Sequence, residues 1–351
     1  MKKLKLILLS CLTSVLPLSS YAQNSDYTNI IEKDPNSNYI FLFVYRSATY
    51  LDWSGASNLA KTTLKSQITR RIKNDASSIG HAQIGWYCNS GNGSINQGAT
   101  GQTGQNGNEG FELVKSGWGL SVLDTVFTDG YLESMQEVKE KMFKADKNNN
   151  FAWLAIKTSN SACEEMIRFV SEYDKSGAAI NYGFPVEPLK YEGAGCTSFA
   201  NAAFVRSTLG LPLSKAWVRH IKLPKKYMGL LSTELKGTKA LELAKTPQEE
   251  KKIPMNEFLV NNVSWAKDGD EYKDFYYYDP ELFYESLVHL ENYYRQSAGM
   301  KIKNPLRTKD YDEFQTNTKN ISEEWMKNLL NTYKRVKIGK IHNTTGLIIE
   351  P

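Results

Sequence analysis

The chain has 351 residues, of which 41% are hydrophobic, with 43 Lys and Arg against 38 Asp and Glu. That length suffices for a sizeable core in one enlarged domain or two. The formal charge of +5 owes three units to Lys2, Lys3 and Lys5; without them 40 basic residues face 38 acidic ones, and no dense basic stripe with interleaved aromatics argues for a nucleic-acid partner.

Those three lysines precede a short, mostly apolar run from Leu6 to Leu18, and Ser20-Tyr21-Ala22 supplies small residues around a cleavage point. Residues 1–22 therefore read as a secretory signal, which predicts soluble export to a periplasm or beyond. The run is too short and interrupted for a durable membrane span. A lipoprotein reading through Cys11 would leave an apolar core of about five residues, well below the usual length.

A polar leader, 23–38, comes next. Tyr39 to Tyr45 is continuously apolar and predicts a buried strand. Leu59 to Lys73 has helical spacing, with Leu64, Ile68 and Ile72 four apart. Ile79 to Tyr87 reads as a strand opened by Gly80, placing His81, Gln83, Gly85 and Tyr87 on one face. Asn89 to Gly110 lacks apolar residues to bury and reads as a mobile loop. Phe111 to Ser116 is strand-like, with Glu112, Val114 and Ser116 sharing a face.

Phe151 to Lys157 predicts another strand, and Ser161-Ala162-Cys163-Glu164 reads as a capping box opening a helix with Met166, Ile167 and Val170 inward. In Gly193-Ala194-Gly195-Cys196-Thr197-Ser198-Phe199 a glycine-rich turn becomes a helix. That helix is expected to run to about Thr208, with Phe199, Ala202, Val205 and Leu209 at helical intervals. Further on, Trp217 to Leu223 predicts a strand and Lys236 to Lys252 a charged, helix-prone stretch. Glu281 to Arg295 predicts an amphipathic helix with Leu282, Leu287 and Leu290 inward, and Ser322 to Lys334 one more helix.

A thiol at a helix start, as at Cys196, meets the positive end of the helix dipole, which favours thiolate. The backbone N–H groups of Gly195 and Cys196 are candidate donors to an oxyanion. His81 is the candidate base; His220, His289 and His342 read as structural or surface residues. Once a signal is removed, Cys88, Cys163 and Cys196 remain, and an oxidising compartment allows two of them to pair. A Cys88–Cys163 bridge leaves Cys196 free; two buried, unpaired thiols are the alternative. No close spacing of Cys or His suggests a metal, and no cofactor is implied.

The order of Gly80-His81-Ala82-Gln83-Ile84-Gly85, Asn181-Tyr182-Gly183-Phe184 and Gly195-Cys196-Thr197-Ser198-Phe199 resembles the permuted papain-like cysteine hydrolases. These are relatives of the NlpC-type cell-wall peptidases and of the lecithin retinol acyltransferase group. The resemblance spans about Tyr39 to Leu213. It implies an α+β fold with an antiparallel sheet packed against the cysteine helix, a catalytic domain over 39–214 and a mixed C-terminal extension over 215–351. It further implies Cys196 as nucleophile, His81 as base, and a polar residue on the following strand to orient the imidazole. Glu112 is the better physical candidate for that role, because a carboxylate fixes the tautomer and stabilises the imidazolium, with Ser116 as the alternative.

The implied substrate is an amide, foremost in peptidoglycan stem peptides, with an acyl ester or lipid amide as the rival. A reading of a different class is a non-catalytic surface protein that holds glycan or protein with its tyrosines.

Overall fold

The computed structural model describes residues 27, 36–89, 94–104, 113–184, 186–207, 217–229, 252–302, 320–325, 327 and 335–350. The predicted signal, most of the polar leader, Glu112, most of the 236–252 stretch and the end of the last predicted helix lie outside them.

The protein is a mixed α+β structure built on a six-stranded sheet. Its central strand, β1 (Asn38–Tyr45), pairs antiparallel with β2 (His81–Asn89) on one side and β7 (Phe151–Thr158) on the other. β3 (Ile95–Thr100) extends the sheet beyond β2. On the far side, β12 (Thr344–Glu350) runs parallel to β7 and carries β11 (Arg335–Ile341) at the edge. The parallel pair corrects the expectation of a wholly antiparallel sheet. β12 is joined by a tight turn to β11 and not to β7, so no hairpin forces it antiparallel to β7; Leu347 and Ile349 of β12 face the larger core.

Every residue of β1 from Tyr39 to Tyr45 is buried, because both faces of the sheet are covered. Ile40, Leu42 and Val44 join the larger core, beneath α3 (Asn160–Lys175), α4 (Cys196–Arg206) and α6 (Pro280–Ser297). Tyr39, Phe41, Phe43 and Tyr45 form an aromatic core against Val138, Met142 and Ala145 of α2 (Met135–Lys147). Tyr27, from the polar leader, is fully buried there and donates its hydroxyl to the Gly98 carbonyl, 2.6 Å away.

A smaller third core lies under the ribbon of β9 (Val218–Pro224) and β10 (Tyr272–Tyr278), closed by Phe258 of α5 (Met255–Val260) and by Ala56 of α1 (Ala56–Lys73). The disulfide Cys88–Cys163 ties β2 to α3, with 5.9 Å between Cα atoms, and Cys196 is free.

Several local expectations change. Leu64, Ile68 and Ile72 of α1 are 41%, 52% and 80% exposed; the helix buries Ala56, Leu59 and two serines instead. Ser66 is one of them, and its hydroxyl holds the Ser78 carbonyl just before β2. Spacing identified the helix but not its buried face. The cap of α3 is Ser159, whose Oγ accepts from Ala162 N–H, while Glu164 accepts from Asn160. The Asn89–Gly110 segment is no plain loop where described. Gly98 and Ala99 line β3, and β4 (Gln102–Gly104) pairs with β6 (Gly130–Leu132). Leu113 to Lys115 form a helical turn, not a strand.

Candidate active site

Two short strands and one turn bring Cys196 to His81. Gly193 has φ +130, and a Cβ there would lie 2.3 Å from the Asn181 carbonyl oxygen, so only glycine fits the turn. The tight turn lets Ala194 N–H donate to Asn181 O and Gly183 N–H to Ala194 O, which lays β8 (Tyr182–Gly183), itself paired with β5 (Val126–Phe127), beside residues 192–194. α4 then starts at Cys196 with Gly195 as cap. The β2–β3 ladder ends at the pair Ile84 and Thr100, which leaves the Ala82 N–H to act on the Cys196 sulfur. The Tyr182 hydroxyl and the His81 ring stand close enough to the same sulfur to act on its titration.

The other side of the imidazole is held by a carboxylate that the sequence reading passed over. Glu133 follows β6 directly, and its Oε2 lies 2.7 Å from His81 Nε2. With Nε2 so engaged, Nδ1 is the ring nitrogen left for the thiol. Gln83 donates to the same Oε2 at 2.5 Å and accepts at its own Oε1 from the Tyr45 hydroxyl at 2.5 Å. Lys141 of α2 pairs with Oε1. The Glu133 backbone is fixed as well: its N–H donates to Gly101 O and its carbonyl accepts from Thr100 Oγ1. A Cβ at Gly101 would sit 2.6 Å from Gln83 Cγ and 2.8 Å from Glu133 Oε2, so the glycine makes room for the carboxylate.

The site is nearly covered, with His81 4% and Cys196 6% exposed. Burial pushes the Cys196 thiol up, but the charge of His81, its hydrogen bond, the Ala82 N–H and Lys141 outweigh it, and the thiol is held below its ordinary value. For His81, burial and Lys141 favour the neutral ring, yet Glu133 and Cys196 prevail and raise it. The two shifts together favour thiolate and imidazolium. Glu133 is lowered to about 2, as the charge and hydrogen bond of His81 and the charge of Lys141 overcome burial. Burial, then the neighbouring thiolate, keeps the Tyr182 hydroxyl protonated.

Glu112 lies outside the described residues. Ser116 sits in a turn beside Gly117, which packs against Lys252, and no hydrogen bond among the described residues joins it to His81. The Gly195 N–H donates to Ser198 Oγ at 2.9 Å and is not open to an oxyanion. The Cys196 N–H, in the first turn of α4, has no acceptor within its helix.

Glu133 carried one local signal, its place just before the Ser134–Glu137 capping box that starts α2. Among the described residues no group of His, Cys, Asp and Glu could hold a metal ion, and no helix is long and apolar enough to cross a membrane.

Beside α4, a groove of about 410 Å³ is lined by Thr197, Ser198, Phe184, Val186, Leu189 and Tyr276, among others, and begins one residue past Cys196. Comparison with family models, curated proteins and solved structures finds no match for this chain.

Proposed function

We propose that this protein is an exported cysteine hydrolase of the permuted papain-like type that cleaves an amide bond, with peptidoglycan stem peptides as the leading substrate. The observation that carries the chemistry is His81 held between the Glu133 carboxylate and the Cys196 sulfur at a helix start. The substrate class rests on the resemblance of the His81 strand and the Cys196 helix and on the signal-like N-terminus.

In this reading the Cys196 thiolate attacks the carbonyl carbon, and the Cys196 N–H with the Tyr182 hydroxyl bears the charge of the tetrahedral oxygen. His81, as imidazolium, gives its proton to the leaving amine while the C–N bond breaks and a thioester forms. Neutral His81 then takes a proton from water, whose oxygen attacks the thioester and releases the acid and the thiolate. Glu133 stabilises the imidazolium throughout.

The groove favours a second reading within the same chemistry. Phe184, Val186 and Leu189 offer apolar surface in a groove also lined by Thr197 and Ser198, the two residues after Cys196, which suits an acyl ester or lipid amide.

The test is digestion of purified peptidoglycan, and of an N-acyl amide and an acyl ester, by the disulfide-intact protein and by Cys196→Ala, with products identified by mass spectrometry. Stem-peptide fragments from the parent alone support the first reading, and release of the acyl group alone supports the second. Equal yields from parent and variant contradict both.

A further inference from the structure

We propose that Lys141 is a positioning residue of this site: its ammonium pins the buried Glu133 carboxylate against His81 and sets a fixed positive charge beside the Cys196–His81 pair. The proposal rests on the cysteine-hydrolase reading only for its consequence in turnover; the arrangement itself stands on geometry.

The Glu133 side chain is fully buried, and the charge of a buried carboxylate needs partners; its Oε1 makes no hydrogen bond among the described residues, so an opposite charge must serve there. Oε2 takes His81 and Gln83. Oε1 takes Lys141, whose side chain is 24% exposed and reaches in from two turns along α2. Partners on opposite oxygens fix the carboxylate plane, which one partner alone would leave free to turn. Lys141 Nζ also lies 3.5 Å from His81 Nε2. At that distance a second cation acts on the imidazole in an environment that screens it poorly.

Every element packed on His81 contributes a group to this balance. β1 supplies Tyr45, stacked on the imidazole with 6.1 Å between centroids, and β2 supplies Gln83. Glu133 and Lys141 approach from the α2 side, and Cys196 and Tyr182 from α4 and β8, with Asp129 acting on Tyr182. Only Lys141 among these is a permanent cation. Its charge disfavours the imidazolium and favours the thiolate. Removing it therefore raises both titrations, so the pH window of the ion pair moves upward as a whole. A lysine that merely balanced charge for folding would change stability and leave the window in place.

The experiment titrates Cys196 by the pH dependence of its alkylation with iodoacetamide, and His81 by its ring NMR shift, in the disulfide-intact protein. Lys141→Met is expected to raise both midpoints by about one unit, a tenfold change in the thiolate-to-thiol ratio at fixed pH. Lys141→Gln, which keeps a polar group in place of the ammonium, should fold even where the methionine variant does not and should give the same upward move. Lys141→Arg should restore the parental midpoints. Midpoints unchanged in Lys141→Gln overturn the proposal. Shifted midpoints in a protein that leaves peptidoglycan and acyl substrates intact support the Lys141 role and remove the hydrolase reading, so the two failures stay distinct.

Discussion

His81 Nε2 lies 2.7 Å from Glu133 Oε2, across 52 residues of chain, and both side chains are almost wholly buried. A buried imidazole bound to a buried carboxylate, with a buried thiol acting on its titration, is an arrangement whose energetics can be tested part by part.

Cys196→Ala should abolish turnover while leaving the fold intact. The side chain is small, so its truncation leaves little cavity and should cost no more than about 1 kcal/mol. Thermal unfolding and product release measured on the same preparation check this. Residual turnover near the parental rate would remove Cys196 as nucleophile.

Glu133→Gln should lower kcat by about a hundredfold to ten-thousandfold, the range seen when an acid–base partner is disabled. The amide can accept from His81 but supplies no charge to the imidazolium, and it leaves Lys141 without its counter-ion. The basic limb of the pH profile should move to lower pH, because His81 loses the charge that raises it. A limb that stays in place would assign the carboxylate a purely structural role.

Much of this site was legible in the sequence because its two central signals are local. Strand alternation put His81 and Gln83 on one face, and a glycine turn running into small helix formers marked Cys196. Glu133 was not legible: β4 and β6 are three residues each, too short for a period, and their pairing is non-local. Glu112 stood nearer in sequence and drew the assignment. Likewise β11 and β12 escaped notice although Leu347 and Ile349 alternate inward, since the strand they complete, β7, is nearly two hundred residues earlier. The apolar stripe of α1 misled for a different reason, as periodicity says nothing about whether a partner exists for the face it marks.

Gly101→Ala should destabilise the protein by about 1–3 kcal/mol, the usual range for overpacking a tight site. The methyl would press on Gln83 and on Glu133 Oε2, so activity should fall more than the loss of stability alone accounts for. Chemical denaturation and turnover under native conditions separate the two effects. A variant with parental stability and rate would show that the close approach is not needed.

Acid should weaken the native state through Glu133. Its carboxyl falls from the ordinary 4.5 to about 2 on folding. A depressed carboxyl contributes its full stabilisation above the unfolded value and loses it as pH falls through the folded one. The loss should therefore run from about pH 4.5 down to about pH 2 and reach about 3 kcal/mol. Denaturant titrations of the parent and Glu133→Gln across that window check it: the variant should show a shallower decline, and equal slopes would contradict the assignment.

Reducing the Cys88–Cys163 disulfide should cost about 4 kcal/mol on the chain-entropy account, given its 75-residue separation. Cys196 alone should label in the unreduced, folded protein. Labelling of Cys88 or Cys163 before reduction would contradict the pairing.

The central claim is that His81 makes a thiolate of Cys196. Its most direct measurement is the ultraviolet absorbance of the thiolate across pH, taken as the difference between the parent and Cys196→Ala and repeated in a His81→Gln background. The account predicts a thiolate that forms below the ordinary cysteine range in the parent and a midpoint that moves upward once His81 is replaced. An identical midpoint with and without His81 would contradict it.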